Sequence, residues 1–256
     1  VTEVAQHNRE VEANLEAWHA KPLLWRVYRD MHEEIAKELA SVPGLTAEIG
    51  SGIGNIKEVI PDCLRTDLFP NPWLDQTENA YALSFADQSV ANLILFDVFH
   101  HLRYPGTALR ELARVLVPGG RVLIYEPAMG LLGRAVFGLF HHEPIALGER
   151  ISWLAPDGWT PNDVDYYAAQ GNASRIFTRS AMTEPVEGLE QIALKRFAQL
   201  SYVASGGYSK RQLYPDNAYP AMRSLDRMLD AFPWLFSTRM LAVLQKPLAS
   251  STTGPR

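Results

Sequence analysis

The run VANLILFDV, residues 90–98, constrains the fold more than any other stretch of the chain. It is apolar almost throughout and shows no alternation of apolar with polar positions. A segment of this kind reads as a strand buried on both faces, which requires a parallel sheet covered above and below. Its neighbours repeat the theme. TAEIG (46–50) and CLRTDL (63–68) read as short strands, ENAYAL (78–83) as a candidate third, and RVLIYEP (121–127) as the strand after the apolar run. NIKEVIP (55–61) reads as a helix stopped by Pro61. PGTALRELARVLVPGG (105–120) reads as an amphipathic helix with Pro105 at its start and Pro118-Gly119-Gly120 at its end. Strand and helix alternating at these intervals predict an α/β fold with a mostly parallel sheet and helices on both faces.

Sheets of this kind bind ligands beyond the carboxyl ends of their strands. Residues 48–54, Asp67, 79–85, 97–101 and Glu126 all fall there, so five separate segments are expected to meet on one rim. Before the sheet, residues 8–20 and 23–40 read as two helices split at Lys21-Pro22, so residues 1–44 are expected to form a helical cap. Residues 45–127 are the half that carries the rim. Residues 128–188, with an apolar helix at 130–140 and then many aromatics, Asn and Asp, read as a lid inserted after the fifth strand. LEQIALKRFAQL (189–200) and FSTRMLAVLQKP (236–247) read as closing strands, separated by the loop SGGYSKRQLYP (205–215) and a helix near 217–231, and residues 248–256 as a disordered tail.

Composition narrows the class of function. The net charge is -5, the pI is about 5.8, and no run of Lys or Arg exceeds two, which argues against nucleic acid as a partner. No apolar stretch reaches the ~18 residues of a membrane span, and residues 1–20 lack the apolar core of a signal peptide. A single cysteine, Cys63, cannot close an internal disulfide, so a cytoplasmic location is expected and the thiol reads as a core side chain.

The loop AEIGSGIGN (47–55) follows a strand, and its glycines allow positive φ and close backbone approach by a ligand. It lacks the lysine of a P-loop. As a dinucleotide loop it has Gly50 and Gly52, but Asn55 stands where the third glycine belongs and Gly54 comes one position early, which disfavours an NAD(P) oxidoreductase.

EIGSGIG (48–54) resembles the E-x-G-x-G-x-G signature of class I S-adenosylmethionine-dependent methyltransferases. NAYALSF (79–85), LILFDVFHHL (93–102) and RELARVLVPGGRVLIYEP (110–127) resemble further segments of the small-molecule branch of that family, in the same order. The resemblance covers residues 45–127. It implies a Rossmann-like, seven-stranded sheet, S-adenosyl-L-methionine as cofactor with S-adenosyl-L-homocysteine as product, and methyl transfer to O, N or C of a small-molecule acceptor. By this resemblance Gly50 and Gly52 admit the cofactor, and Glu48 orients the loop or meets the methionine amino group. Asp67, nineteen residues after Glu48, accepts the ribose hydroxyls. Asn79 and Ala80 meet the adenine, and Asp97 and Phe99 face the methionine end. Ser51, Gly54, Leu68 and Val98 complete the cofactor set. Asn79 replaces the acid usual at its position, and Ser84 replaces a proline.

Methyl transfer needs alignment and exclusion of water, and a base only where the acceptor must lose a proton. His100 and His101, at the rim, are the candidate bases or acceptor contacts. His141, His142, Tyr166 and Arg179 are candidate acceptor contacts from the lid, with Tyr167, Asn172, Arg175, Trp153 and Trp159 beside them. FHHEP (140–144) offers three potential metal ligands, but adjacent histidines on a helix point apart, so no metal is expected. Two other functions stay open: a cofactor-binding protein with a non-methylating reaction, and a non-catalytic partner subunit. The sequence leaves monomer and homodimer equally open.

Overall fold

A computed structural model of the chain describes residues 3–162, 166–177 and 184–248. Helices α1 (Glu3–Ala20) and α2 (Pro22–Ala36) lead into β1 (Leu45–Ile49), β2 (Leu64–Asp67), β3 (Gln76–Thr77) and β4 (Val90–Phe96). Then come α3 (Pro105–Val115), β5 (Leu116–Pro127), α4 (Leu131–Phe140) and α5 (Asn172–Phe177). The chain closes with β6 (Glu190–Phe197), α6 (Leu200–Ser205), α7 (Tyr219–Leu229), α8 (Pro233–Phe236) and β7 (Arg239–Gln245). The seven strands form one sheet in the order β3-β2-β1-β4-β5-β7-β6. Pairs from β3 to β5 are parallel, and β7 runs antiparallel between β5 and β6.

The apolar run at 90–96 is the middle of this sheet and is buried along its whole length. Successive side chains alternate between faces. Leu93 and Leu95 join Val122, Ile124, Ala242 and Leu244 against α3 and α5, and Ile94 and Phe96 join Leu123, Tyr125, Leu241 and Val243 against α2. Helix α2 starts with Pro22 in its first turn and turns Leu23, Leu24, Val27, Tyr28, Met31 and Ile35 inward. His32 shares that face, where burial lowers its proton affinity to about 3, so it is a neutral core group. Cys63 is buried just before β2.

Three local expectations are corrected. Residues 55–61 do not form a helix of several turns: a single 3-10 turn spans Asn55–Glu58, entered from Gly54 in the left-handed region. The third strand lies at Gln76–Thr77, ahead of the expected 78–83. Residues 79–82 fold into a bridged turn because the Asn79 carboxamide oxygen accepts from Tyr81 N at 3.0 Å. Helix α2 stops at Ala36, short of residue 40, where Ala40 is instead bound through its N–H and carbonyl to the Asn92 side chain. Among the described residues no helix is long and apolar enough to cross a membrane.

Candidate active site at the carboxyl rim of the sheet

The glycine loop leaves β1 and is stitched to β2. Ser51 N donates to Thr66 O at 2.8 Å, Thr66 N to Ser51 Oγ at 3.1 Å, and Thr66 Oγ1 to Glu48 O at 2.8 Å. Gly50, at φ 76°, is required by the protein itself: a methyl group there would lie 2.3 Å from Val98 Cγ2. Gly52 is different. Its φ is 52°, and a methyl group there would meet nothing within 4 Å. Its N–H donates to Asp67 Oδ2 at 3.0 Å, and its carbonyl accepts from Trp73 Nε1 at 2.7 Å. Leu68 N donates to Asp67 Oδ1 at 2.7 Å, so backbone amides fix both oxygens of that carboxylate at the end of β2. Glu48 is buried beneath the loop. Burial raises its proton affinity to about 8 against a partly offsetting bond from Ser51, and its Oε2 has no hydrogen-bond partner.

The loop after β4 carries the second half of the site. Asp97 sits at φ 55°, in the left-handed region that few side-chain-bearing residues hold and that Asp tolerates better than most. Its carboxylate pairs with Arg239, the first residue of β7, which is buried between the rings of Tyr202 and Phe137. Glu126, fully buried at the end of β5, accepts from Phe99 N and from His100 Nδ1, each at 2.6 Å. Burial opposes a charge on His100, but the Glu126 carboxylate and then Glu143 outweigh it and raise its proton affinity to about 10. His101 moves the other way: burial and then the charge on His100 lower its proton affinity. His101 Nδ1 donates to Tyr167 O at 2.8 Å, which leaves Nε2 as the lone-pair nitrogen.

The segment after α4 reaches back over this pair. Glu143 Oε2 lies 3.4 Å from His100 Nε2, and Oε1 lies 3.7 Å from His101 Nε2 and accepts from Tyr166 Oη at 2.8 Å. Bonds and charge from His100 and His101 outweigh burial and hold Glu143 below the ordinary carboxylate range. Gln170 Nε2 donates to Glu143 Oε2 and lies 3.2 Å from His100 Nε2. Two backbone links, Ala169 N to His100 O and Gln170 N to Pro144 O, complete the attachment.

His100, His101 and Tyr166 therefore meet at one place, through Glu143. His141 and His142 follow the helix rather than lie on it, because α4 ends at Phe140, and their rings stack at 4.8 Å instead of pointing apart. His141 Nδ1 accepts from Glu143 N at 3.3 Å. Asn79 Nδ2 donates to Pro161 O at 2.9 Å, tying the 79–82 turn to the overlying segment, and Ala80 is buried beside it. Trp159 packs edge-on against Tyr81 and Tyr104, Trp153 lies against Gly106, and Arg175 holds the Ala146 and Glu149 carbonyls, so these three brace the segment. Ser84, in the expected proline's place, gives its N–H and hydroxyl to the buried Glu78. From the 205–215 loop, Tyr208 reaches the glycine loop and accepts from Asn55 Nδ2 at 3.4 Å. Arg179 lies outside the described residues.

Sequence reasoning missed Arg239, Trp73 and Gln170. Arg239 had a signal, an arginine opening the apolar strand MLAVL, since a charge entering a core needs a buried partner. Trp73 and Gln170 had none.

The donor set fits an adenosyl sulfonium amino acid. Asp67 offers carboxylate oxygens for a diol, the space at Gly52 leaves the loop backbone open to a ligand, and the unpartnered buried Glu48 Oε2 can be satisfied by a cationic donor.

Residues 48–124 match the model of the methyltransferase domain family. The fold is shared with a chain of the complex between the Haloferax volcanii Trm112 methyltransferase activator and a methyltransferase, at 17% identity over 92% of this chain and 96% of that one, TM-score 0.52. Weaker likenesses include the [4+2]-cyclase SpnF (12% identity, 86% and 81% covered, TM-score 0.46) and a Methanosarcina mazei SAM-dependent methyltransferase (15%, 84% and 98%, TM-score 0.45). No curated protein matches the sequence.

Proposed function

From a class I fold whose residues 48–124 match the model of the methyltransferase domain family, we propose an S-adenosylmethionine-dependent methyltransferase that acts on a small-molecule acceptor. The carrying observation is that the glycine loop, Asp67, Asp97 and the His100–Glu126 pair share one rim, while Glu143 and Tyr166 bring a separate segment over the histidines. When bound, the cofactor supplies a methyl group on a sulfonium centre, whose neutral leaving group needs no acid.

The chain's residues then have distinct tasks. Asp67 accepts the ribose hydroxyls, with Leu68 N holding it in place. Glu48 meets the amino group beneath the loop that Gly50, Ser51, Gly52 and Gly54 shape. Asn79 and Ala80 border the adenine, with the Asn79 oxygen shared with Tyr81 N. Asp97, Val98 and Phe99 line the methionine end. His101, whose Nδ1 proton is fixed on Tyr167 O, takes a proton from the acceptor at Nε2. His100 stays protonated and carries positive charge between Glu126 and Glu143. Residues 141–162 and 166–171, with His141, His142 and Tyr166, form the acceptor-side lid and exclude water.

Calorimetric titration with S-adenosylmethionine, S-adenosylhomocysteine and NADPH tests the cofactor. Binding of the two sulfur ligands and not of NADPH is expected, and silence from both sulfur ligands would overturn the reading. A screen of small acceptors read as S-adenosylhomocysteine formation tests the reaction. The Haloferax volcanii complex motivates a second reading, in which turnover requires an activator subunit. A protein that binds the cofactor, fails every acceptor alone and turns over with an activator would favour it.

A further inference from the structure

The cluster where the lid meets the rim has the constitution of a metal centre. One ring nitrogen each of His100 and His101 and a Glu143 oxygen lie within 4.8 Å of one another. The Glu143 carboxylate faces each ring with a different oxygen, Oε2 3.4 Å from His100 Nε2 and Oε1 3.7 Å from His101 Nε2, separations of the size of a coordination-polyhedron edge with metal–ligand bonds of about 2.0–2.2 Å. Both histidines have the second contact that metal-bound imidazoles use. His100 Nδ1 donates to the Glu126 carboxylate and His101 Nδ1 to the Tyr167 carbonyl, at 2.6 and 2.8 Å. These bonds turn both Nε2 atoms toward Glu143, and binding of an ion releases the Nε2 proton that His100 holds in the ion-free protein.

A second observation points to the same place. Gln170 is 2% exposed, and its Nε2 bridges His100 Nε2 and Glu143 Oε2, where a cation between them would sit. Its other terminal atom, Oε1, is buried with no partner. A half-turn of the amide offers that oxygen as a further ligand and removes the orphan.

We propose that His100, His101 and Glu143, with Gln170 as a reserve ligand, bind one divalent first-row transition ion, with zinc the best match to two imidazoles and a carboxylate. Three protein ligands leave a position for water or for an acceptor oxygen. An ion there would make a bound hydroxyl easier to deprotonate, with the proton passing to solvent water, and His101 would then serve as a ligand rather than as a base. That role rests on the methyl-transfer reading, whereas binding of the ion does not.

The full chain, free of any affinity tag and stripped by chelator, is titrated with Zn²⁺ by calorimetry and with Co²⁺ by visible absorption. One ion per chain is expected, with a strong cobalt d–d band and competition between the two metals. Glu143→Gln and His101→Ala should each weaken zinc at least about tenfold. Glu126→Gln, which changes the orienting contact of His100 and leaves the three ligands in place, should weaken it about 10–100-fold. His19→Ala, in the last turn of α1, should bind as the unaltered chain does. Circular dichroism keeps loss of ligand apart from loss of fold. An unaltered chain with no cobalt band, or equal zinc affinity in the unaltered chain and in folded Glu143→Gln and His101→Ala, overturns the proposal. Because no cofactor is present in the titration, either result leaves the S-adenosylmethionine test standing.

Discussion

Replacing Glu48 by Gln turns the burial of one carboxyl into a measurable slope. In the folded chain Glu48 titrates near 8 against its ordinary 4.5, chiefly because burial disfavours its charge. Between those values the folded state holds a proton that the unfolded state has released. Stability is therefore fully present below about pH 4.5, falls as pH rises, and levels off above about pH 8. One pKa unit is about 1.4 kcal/mol, so the loss is about 5 kcal/mol over the whole window and about 3 kcal/mol by pH 7. For a chain of this size that corresponds to about 6–12 °C in Tm at pH 7. Glu48→Gln keeps the shape and removes the proton, so its Tm should lack this component of the pH dependence. The assay is thermal or urea unfolding of both proteins at half-unit steps from pH 4.5 to 8.5. Parallel profiles would refute the reasoning, because they would mean that Glu48 ionises in the fold without cost. If Glu48 also meets the cofactor's amino group, binding near pH 7 should release close to one proton. Calorimetry in two buffers of different ionisation enthalpy reads that number.

Asp67→Ala should raise the S-adenosylmethionine Kd by about 10- to 100-fold, from loss of charge-assisted bonds worth about 1.5–3 kcal/mol each, partly replaced by water; unchanged affinity in the titration would refute the ribose assignment. Gly50→Ala should destabilise the fold by about 2–4 kcal/mol in urea melts, from the left-handed backbone together with the collision with Val98. Adding Val98→Ala should recover the steric part only. Arg239→Met should cost less than the about 3–5 kcal/mol of a broken fully buried pair, because the Asp97 side chain is 29% exposed and water can reach it; its cofactor Kd should rise with Asp97 unclamped. Asn79→Ala should speed limited proteolysis between residues 141 and 171 by removing the bond to Pro161, with global stability nearly unchanged.

The sheet was legible because its signal is local. An unbroken apolar strand, a proline-started amphipathic helix and a glycine loop each state their geometry within about ten residues. The weaker expectations fell where competing local bonds decide the backbone, as at 79–82, where the Asn79 side chain closes a turn that propensity alone reads as strand. Asp67, His100 and Glu126 could be placed on the rim from strand ends alone. Their partners could not. Arg239 arrives from an antiparallel strand 142 positions after Asp97, and Glu143 and Gln170 come from a segment whose path has no periodic pattern. The end of α4 at Phe140 agrees with the helix read at 130–140, so His141 and His142 lie beyond it and the helical argument that their rings point apart does not apply to them.

The stretch from His141 to Gly171 has no helix or strand among its described residues, and it is held at separate points, among them Glu143 and Gln170 on the histidines, Ala169 N on His100 O, Tyr167 O on His101, Trp153 O and Ala155 N on α3, Asn79 on Pro161, and Arg175 on two carbonyls. Closure entropy rises only logarithmically with length, so even doubling such a connection costs about 0.6 kcal/mol. Insertions and deletions between those attachment points are thus nearly free for folding, while the sheet beneath tolerates none in register. The segment over the rim can therefore drift in length and shape over evolutionary time without disturbing the sheet that carries the glycine loop and Asp67.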